Sequence, residues 1–373
     1  MRNHRKGSVR TRCAAVSAMV ILVASGCALA TRIAAAEEAE GDVLANEKFP
    51  VRVHVFEDYE TEIEKRWWLR GTPSEGGVPT SRSASVPNRR MCEAAESHDF
   101  DDKMGDPDAS YKAVVFNPVP GPPMGNRTRL AFRYRIAGTT TLRVQIYSLT
   151  NNYHRRLELK DLPEGEWRSA VVDMTLLRRP DGSGGPLSRD ERIDDIQFYV
   201  SPDAKVAIDD IVLYEAAADD EMRFFPRRII FTGWFDTGEQ GKEWPGEFEI
   251  VPHEKPRTWD AAQSVVESDT GRALLVVNLR GRRRLSAATF VFFRYRLRGE
   301  GPIRVVLADS ERGEVARGVV REPARDEWGE ATLVFEVAPD DDGELPEVDE
   351  IRFVGEKEAV LLVDDLLVFE PGG

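Results

Sequence analysis

The chain has 373 residues, a net charge of −14 and 41% hydrophobic residues. That length accommodates two ordinary domains with real cores. The acidity argues against a nucleic-acid binder, because phosphate recognition runs on neutralising Lys and Arg, and three cysteines cannot build a disulfide framework.

The first 36 residues stand apart. Arg2, Arg5, Lys6, Arg10 and Arg12 form a basic start, and an apolar run from Ala14 to Ala30 follows. This pattern reads as an export signal, although the run approaches the lower length of a membrane anchor. Two processing routes are open. Ala28-Leu29-Ala30 and Ala34-Ala35-Ala36 suit small-residue cleavage, whereas Ala24-Ser25-Gly26-Cys27 resembles a lipobox that would leave a lipid on Cys27. The expectation is an exported protein, extracellular, periplasmic or at the cell surface, that meets a membrane only through this signal or that lipid. Residues 1–36 hold six basic and no acidic residues, so the remainder carries −20 and only Cys92.

Residues 37–48 are acidic and small and read as a linker. Beyond them the chain repeats itself. Phe132-Arg133-Tyr134-Arg135 recurs as Phe293-Arg294-Tyr295-Arg296, and residues 111–172 align without a gap on 272–333, an offset of 161. Further on the offset is 155, so Asp209-Asp210 meets Asp364-Asp365. Two copies of one fold follow: residues 49–216 and 223–373, with a hinge at 217–222.

Inside each copy strands dominate. Leu130, Phe132, Tyr134 and Ile136 alternate at period two, as do Leu142, Val144 and Ile146, then Ile196, Phe198 and Val200. The second copy repeats this with Phe293, Tyr295 and Leu297, with Ile303, Val305 and Leu307, and with Ile351 and Phe353. Gly/Pro/Asp clusters break the runs. The expected fold class is all-β: two tandem antiparallel β-sandwich domains after the signal segment. Val206-x-Ile208 and Ile211-x-Leu213 lie on opposite phases, which predicts a bulge at Asp209-Asp210.

Each copy opens on an acidic, aromatic strand (Val55–Glu60; Trp234–Thr237), passes a Phe-Arg-Tyr strand and a Glu-Trp pair (Glu166-Trp167; Glu327-Trp328), and closes on Ile208–Glu215 or Val363–Glu370. This order resembles the jelly-roll domains of the galactose-binding-like superfamily, which includes many carbohydrate-binding modules. The resemblance implies carbohydrate binding. It also implies a structural calcium ion held by oxygen ligands, with Glu57, Asp58 and Asp209 as candidates in the first copy and Asp236 and Asp364 in the second.

No catalytic motif is present: no Gly-x-Ser-x-Gly, His-Glu-x-x-His, Cys-x-x-Cys or phosphate-cradling glycine loop. The expectation is therefore not an enzyme. If the apolar phase faces the core, the other phase of the first copy presents Arg133, Arg135, Arg143, Gln145, Tyr147, Gln197 and Tyr199, with Tyr153 in the following turn. Such groups can hydrogen-bond sugar hydroxyls while aromatics stack on the ring, and the arginines would suit uronic or sulfated sugars. At matching positions the second copy has Val306, Ala308, Arg352 and Val354. The first copy is thus expected to bind and the second to support it. Two other readings stay open: an envelope structural or adhesion protein with an apolar patch near Val306, Ala308 and Val354, and a polysaccharide hydrolase or lyase with an acidic cleft. Trp167 and Trp328 read as framework. Of Trp67 and Trp68, one is expected to pack and one to face solvent.

Overall fold

The computed structural model describes residues 44, 47–60, 69–77, 83, 86–98, 110–118, 120–187, 191–217, 223–254, 258–340 and 342–372. The signal segment, most of the 37–48 linker, residues 218–222 of the hinge and the pair Trp67-Trp68 lie outside them. Among the described residues no helix is long and apolar enough to cross a membrane.

The first copy comprises β1 (Arg52–Glu57), β2 (Leu69–Arg70), β3 (Thr72–Glu75), β4 (Arg90–Glu93), β5 (Ala95–His98), β6 (Ser110–Phe116), β7 (Thr128–Ala137), β8 (Leu142–Ser148), β9 (Tyr153–Leu159), β10 (Arg168–Asp173), β11 (Ile193–Val200) and β12 (Lys205–Glu215). One sheet runs β10-β7-β12-β4-β3, with β1 also paired to β12; the other runs β2-β6-β11-β8-β9, with β5 also paired to β6. Every pairing between these strands is antiparallel. The two sheets enclose a core that includes Phe132, Tyr134, Ile136, Val144, Ile146, Ile196, Phe198 and Ile208, the residues whose alternation marks them in the sequence.

The second copy repeats the plan. Its strands are β13 (Arg228–Gly233), β14 (Gly246–Glu247), β15 (Glu249–Glu254), β16 (Thr258–Gln263), β17 (Val265–Val266), β18 (Arg272–Arg284), β19 (Ala288–Arg298), β20 (Ile303–Asp309), β21 (Gly313–Val320), β22 (Trp328–Glu336), β23 (Glu347–Lys357) and β24 (Val360–Glu370). The sheets run β15-β16-β24-β19-β22 with β13 on β24, and β14-β18-β23-β20-β21 with β17 on β18. Both copies are antiparallel β-sandwiches of jelly-roll type.

The expected bulge is present in both. Pairing of β12 with β7 slips between Asp209 and Val212, and β24 slips against β19 at the matching place. The second Asp of each pair is left-handed, Asp210 at φ 47° and Asp365 at φ 48°, a conformation that aspartate tolerates better than most residues. The first Asp of each pair accepts a hydrogen bond from the next backbone N–H at 2.8 Å, and so satisfies a donor that the bulge leaves out of the ladder.

After the bulge, β12 and β24 are buried on both faces. Ile211 and Leu213 fill the first core, while Val212 and Tyr214 face away from it into a third apolar cluster shared by the two copies. Apart from Leu44 and Ala216, the buried members of that cluster come in framework-equivalent pairs: Phe49 and Phe225, Val53 and Ile229, Ala131 and Phe292, Val212 and Leu367, Tyr214 and Phe369. Phe49 packs on Phe369 with ring centroids 5.5 Å apart, and its counterpart Phe225 packs on Tyr214 at 4.9 Å. The copies therefore meet through the same patch on each, an isologous contact within one chain. Burying one such aromatic contributes about 2–3 kcal/mol. The two sheets that meet there (those of β7 and β12, and of β19 and β24) are the interface sheets; the other two are distal sheets.

Candidate functional site

The structure divides the predicted sugar face between two surfaces. Arg133 and Arg135 stand on β7 in the interface sheet, whereas Gln145, Tyr147, Gln197 and Tyr199 stand on β8 and β11 in the distal sheet. Alternation separates inward from outward residues, but outward has opposite directions on the two layers of a sandwich. The single face expected from the sequence is thereby corrected.

A second correction concerns exposure. Gln145, Gln197 and Tyr199 are 0%, 1% and 2% exposed. The Gln145 amide donates to Gln197 Oε1 at 2.9 Å, Gln197 donates to Asp195 at 3.3 Å, and Asn117 donates to Asp195 at 3.1 Å and Asp194 at 2.7 Å. Burial, reinforced by the charge of Asp194, pushes the Asp195 carboxyl up to about 6. Tyr199 packs edge-on to Tyr111 at 5.9 Å beside Ala113 and Val115, and the Arg143 guanidinium lies over both rings. The polar phase of these strands is thus largely a closed hydrogen-bonded and aromatic layer.

At the β8–β9 end the face opens. Half-buried Tyr147 stacks against half-buried His154 at 5.0 Å, and its hydroxyl bonds Asn152, which is exposed and left-handed at φ 56°. Tyr153 has a different role. Its ring meets the guanidinium groups of Arg155 and Arg179, and its hydroxyl accepts a hydrogen bond from Arg155 at 2.9 Å. Arg155 is buried, makes a bidentate pair with Glu191 at 2.8 and 3.0 Å, and donates to the Gly185 carbonyl at 2.8 Å. Tyr153 therefore belongs to an anchor that ties the 177–187 loop to β9, a structure the sequence reading missed.

The second copy has nothing like the open end. The positions of Tyr147, Asn152 and His154 hold Ala308, Gly313 and Val315. Val306 and Ala308 are buried, so the exposed apolar patch expected of an envelope-protein reading is closed at those two residues.

The acidic residues at the strand ends meet an arginine instead of forming a metal cage. Asp236 and both Asp364 and Asp365 converge on Arg52, which comes from the first copy. His253 lies 3.5 Å from Asp364, and Arg294 bonds Asp365 at 3.3 Å. Burial works against the charge of Arg52, but Asp365, Asp364 and Asp236 outweigh it and hold the guanidinium protonated. Burial and the neighbouring charge of Asp365 push Asp364 up to about 7. The cation expected at this place is thus the guanidinium of Arg52.

In the first copy Glu57 accepts from the Tyr59 N–H at 2.8 Å, Asp58 accepts from the Glu60 N–H at 3.1 Å, and Asp209 accepts from Asn88 at 3.1 Å. Among the described residues no three His, Cys, Asp or Glu side chains converge as a metal site. Burial, then the charge of Asp210, pushes Asp209 up to about 9. The acidic cleft here, lined by Asp58, Glu60, Asp210, Arg227 and Arg228 among others, has about 20 Å³ of space, room for a water but not a sugar ring.

Cys92 is fully buried, which suits a packing role. Trp167 and Trp328 are half-buried framework residues, each under an arginine: Arg135 at 5.1 Å and Arg294 at 5.6 Å.

No protein-family model matches the chain, and no curated protein matches it. Solved structures do. The N-terminal CBM22-1–CBM22-2 tandem domain of Paenibacillus barcinonensis Xyn10C is 9% identical, covering 87% of this chain and 99% of its own, with a TM-score of 0.27. The family 11 carbohydrate-binding module of the cellulosomal cellulase Lic26A-Cel5E of Clostridium thermocellum is 17% identical, covering 49% and 99%, with a TM-score of 0.30. An arabinose-bound MgGH51 α-L-arabinofuranosidase is 15% identical over 34% of this chain and 23% of that one, with a TM-score of 0.26. The first two are carbohydrate-binding modules.

Proposed function

We propose that this is an exported carbohydrate-binding protein that holds polysaccharide without cleaving it, at the open end of the first copy's distal sheet. The observation that supports the reading is the half-buried Tyr147–His154 pair with Asn152 beside it, on a rigid β face, in only one of two otherwise matched copies. An aromatic face complements the C–H face of a pyranose, and the neighbouring amide can orient its hydroxyls. The second copy serves as support. Export, with membrane attachment only through the N-terminal signal or a lipid on Cys27, belongs to the same proposal and rests on residues 1–36. The hydrolase or lyase alternative is weakened by the size of the acidic cleft, and the envelope-protein alternative by the burial of Val306 and Ala308.

The test is a glycan array probed with the full chain, alongside Tyr147→Ala. Tyr147 is half-buried at a hairpin end, so the substitution should leave thermal unfolding nearly unchanged. Retention of the bound glycan should fall about tenfold, the loss of one stacking contact. An array without binding, or retention indifferent to Tyr147→Ala, would overturn the proposal.

A further inference from the structure

An open groove lies on the first copy at the free end of its interface sheet. The strands whose C-terminal or N-terminal halves carry Ala131, Val212 and Tyr214 into the contact between copies continue, at their other ends, into an open groove of about 510 Å³. Lys112, Arg135 and Lys205 line it, with Glu93 as the one acidic residue among the described lining residues. Among the described residues none of the three cations forms an ion pair with a carboxylate.

Elsewhere Arg52, Arg155 and Arg294 sit on an aspartate or glutamate instead. Two of the three cations are also positioned. Lys112 Nζ donates to the Ala204 carbonyl at 3.2 Å, and the Arg135 guanidinium lies over the Trp167 ring at 5.1 Å, which keeps it at the groove without neutralising it. Lys205 is exposed at the rim.

The duplicated framework supplies a control. By strand register, Lys112, Lys205 and Glu93 correspond to Ala273, Val360 and Gln263 of the second copy. Arg135 corresponds to Arg296, which donates to the Asp326 carbonyl at 3.1 Å. The shared fold therefore does not require the two lysines. They are particular to the copy that also carries the aromatic rim.

We propose that this groove is a second saccharide subsite, and that it takes an anionic sugar, one bearing a carboxylate or a sulfate, between Lys112, Arg135 and Lys205. The inference rests on the reading that the chain holds glycan, but it places a different ligand class in a groove between the ends of the two sheets. A neutral sugar would leave three converging cations without a counter-charge, whereas a uronate or sulfate ester accepts charge-assisted hydrogen bonds from all three.

Titration calorimetry of the full chain decides it, with oligogalacturonate, a chondroitin sulfate oligosaccharide and carboxyl-reduced, neutral oligogalacturonate as probes. One or both acidic probes should bind, at least about tenfold more tightly than the neutral one, and raising the salt should weaken them. Which acidic probe binds better assigns the anion. The double variant Lys112→Gln/Lys205→Gln should lose about tenfold or more in acidic-probe affinity, and the exposed charge reversal Lys205→Glu, which touches no core, should lose it as well. Neutral-glycan retention at Tyr147 should not change in either. Acidic binding that ignores both variants, or equal affinity for the reduced probe, overturns the subsite. Neutral glycan held through Tyr147 with no acidic binding would overturn the subsite and leave the proposed function standing. No binding of any saccharide would end both.

Discussion

Arg52 and Arg228 stand at the same place in the two copies, at the start of β1 and β13, and each points into the acidic strand ends of the opposite copy. Their surroundings differ. Arg52 is met by three aspartates and stays charged despite burial. Arg228 has Asp58 at 3.9 Å and the Arg284 carbonyl at 2.8 Å, and burial pushes its guanidinium below the usual value. The apolar contact between the copies has kept its two-fold likeness while the charges laid over it have diverged. Shape complementarity in a packed core tolerates little change, whereas a buried ion network can be rebuilt around one retained arginine.

The strongest way to break this comparison is to remove each arginine. Arg52→Ala leaves Asp236 buried without its cation and Asp365 with Arg294 alone, and should cost about 3–5 kcal/mol. Arg228→Ala should cost about 1–2 kcal/mol. Urea unfolding of the two variants checks both, and equal losses would mean that the two ends are equivalent after all.

Asp209 sharpens it next. Its carboxyl is pushed up to about 9 by burial and by Asp210, above the value of an unfolded aspartate, so the folded chain holds a proton that the unfolded chain releases. The stabilisation from this group is complete below about pH 4 and is lost as the pH rises towards 9. Asp209→Asn should remove that loss and be more stable than the parent at pH 8 by on the order of 1–3 kcal/mol, with little difference at pH 4. Parallel stability–pH curves would count against the assignment. The smallest effect concerns calcium. With Arg52 seated among the second copy's aspartates, melting temperatures in calcium and in EDTA should coincide, and a rise with calcium would restore the sites implied by the resemblance.

Much of the fold was legible. Period-two alternation named the core of β7, β8 and β11, and the change of phase around Asp209-Asp210 announced the bulge, because both depend on neighbours a few positions apart. The candidate site was less so. Nothing in the alternation of Arg133 and Gln145 says that they lie on opposite layers. Nor does it show that Gln145 and Gln197 satisfy one another in a closed layer. The Arg52 network joins residues 184 and 313 positions apart. Its one trace in the sequence was the recurrence of Arg52 as Arg228 before similar apolar strands. The groove of Lys112, Arg135 and Lys205 gathers three strands, and only comparison with Ala273 and Val360 marks its lysines as optional to the framework.

The isologous contact between the copies has an evolutionary consequence. A patch that matches itself is what two separate identical subunits would use to form a symmetric dimer, and in such a dimer every substitution appears twice. Joining the subunits in one chain raises their effective concentration and removes the requirement that they remain identical. The first unit carries the rim and the groove, the second lacks their tyrosine and lysines, and the charges at the two ends of the seam differ. Difference between the halves is a freedom that the peptide link conferred.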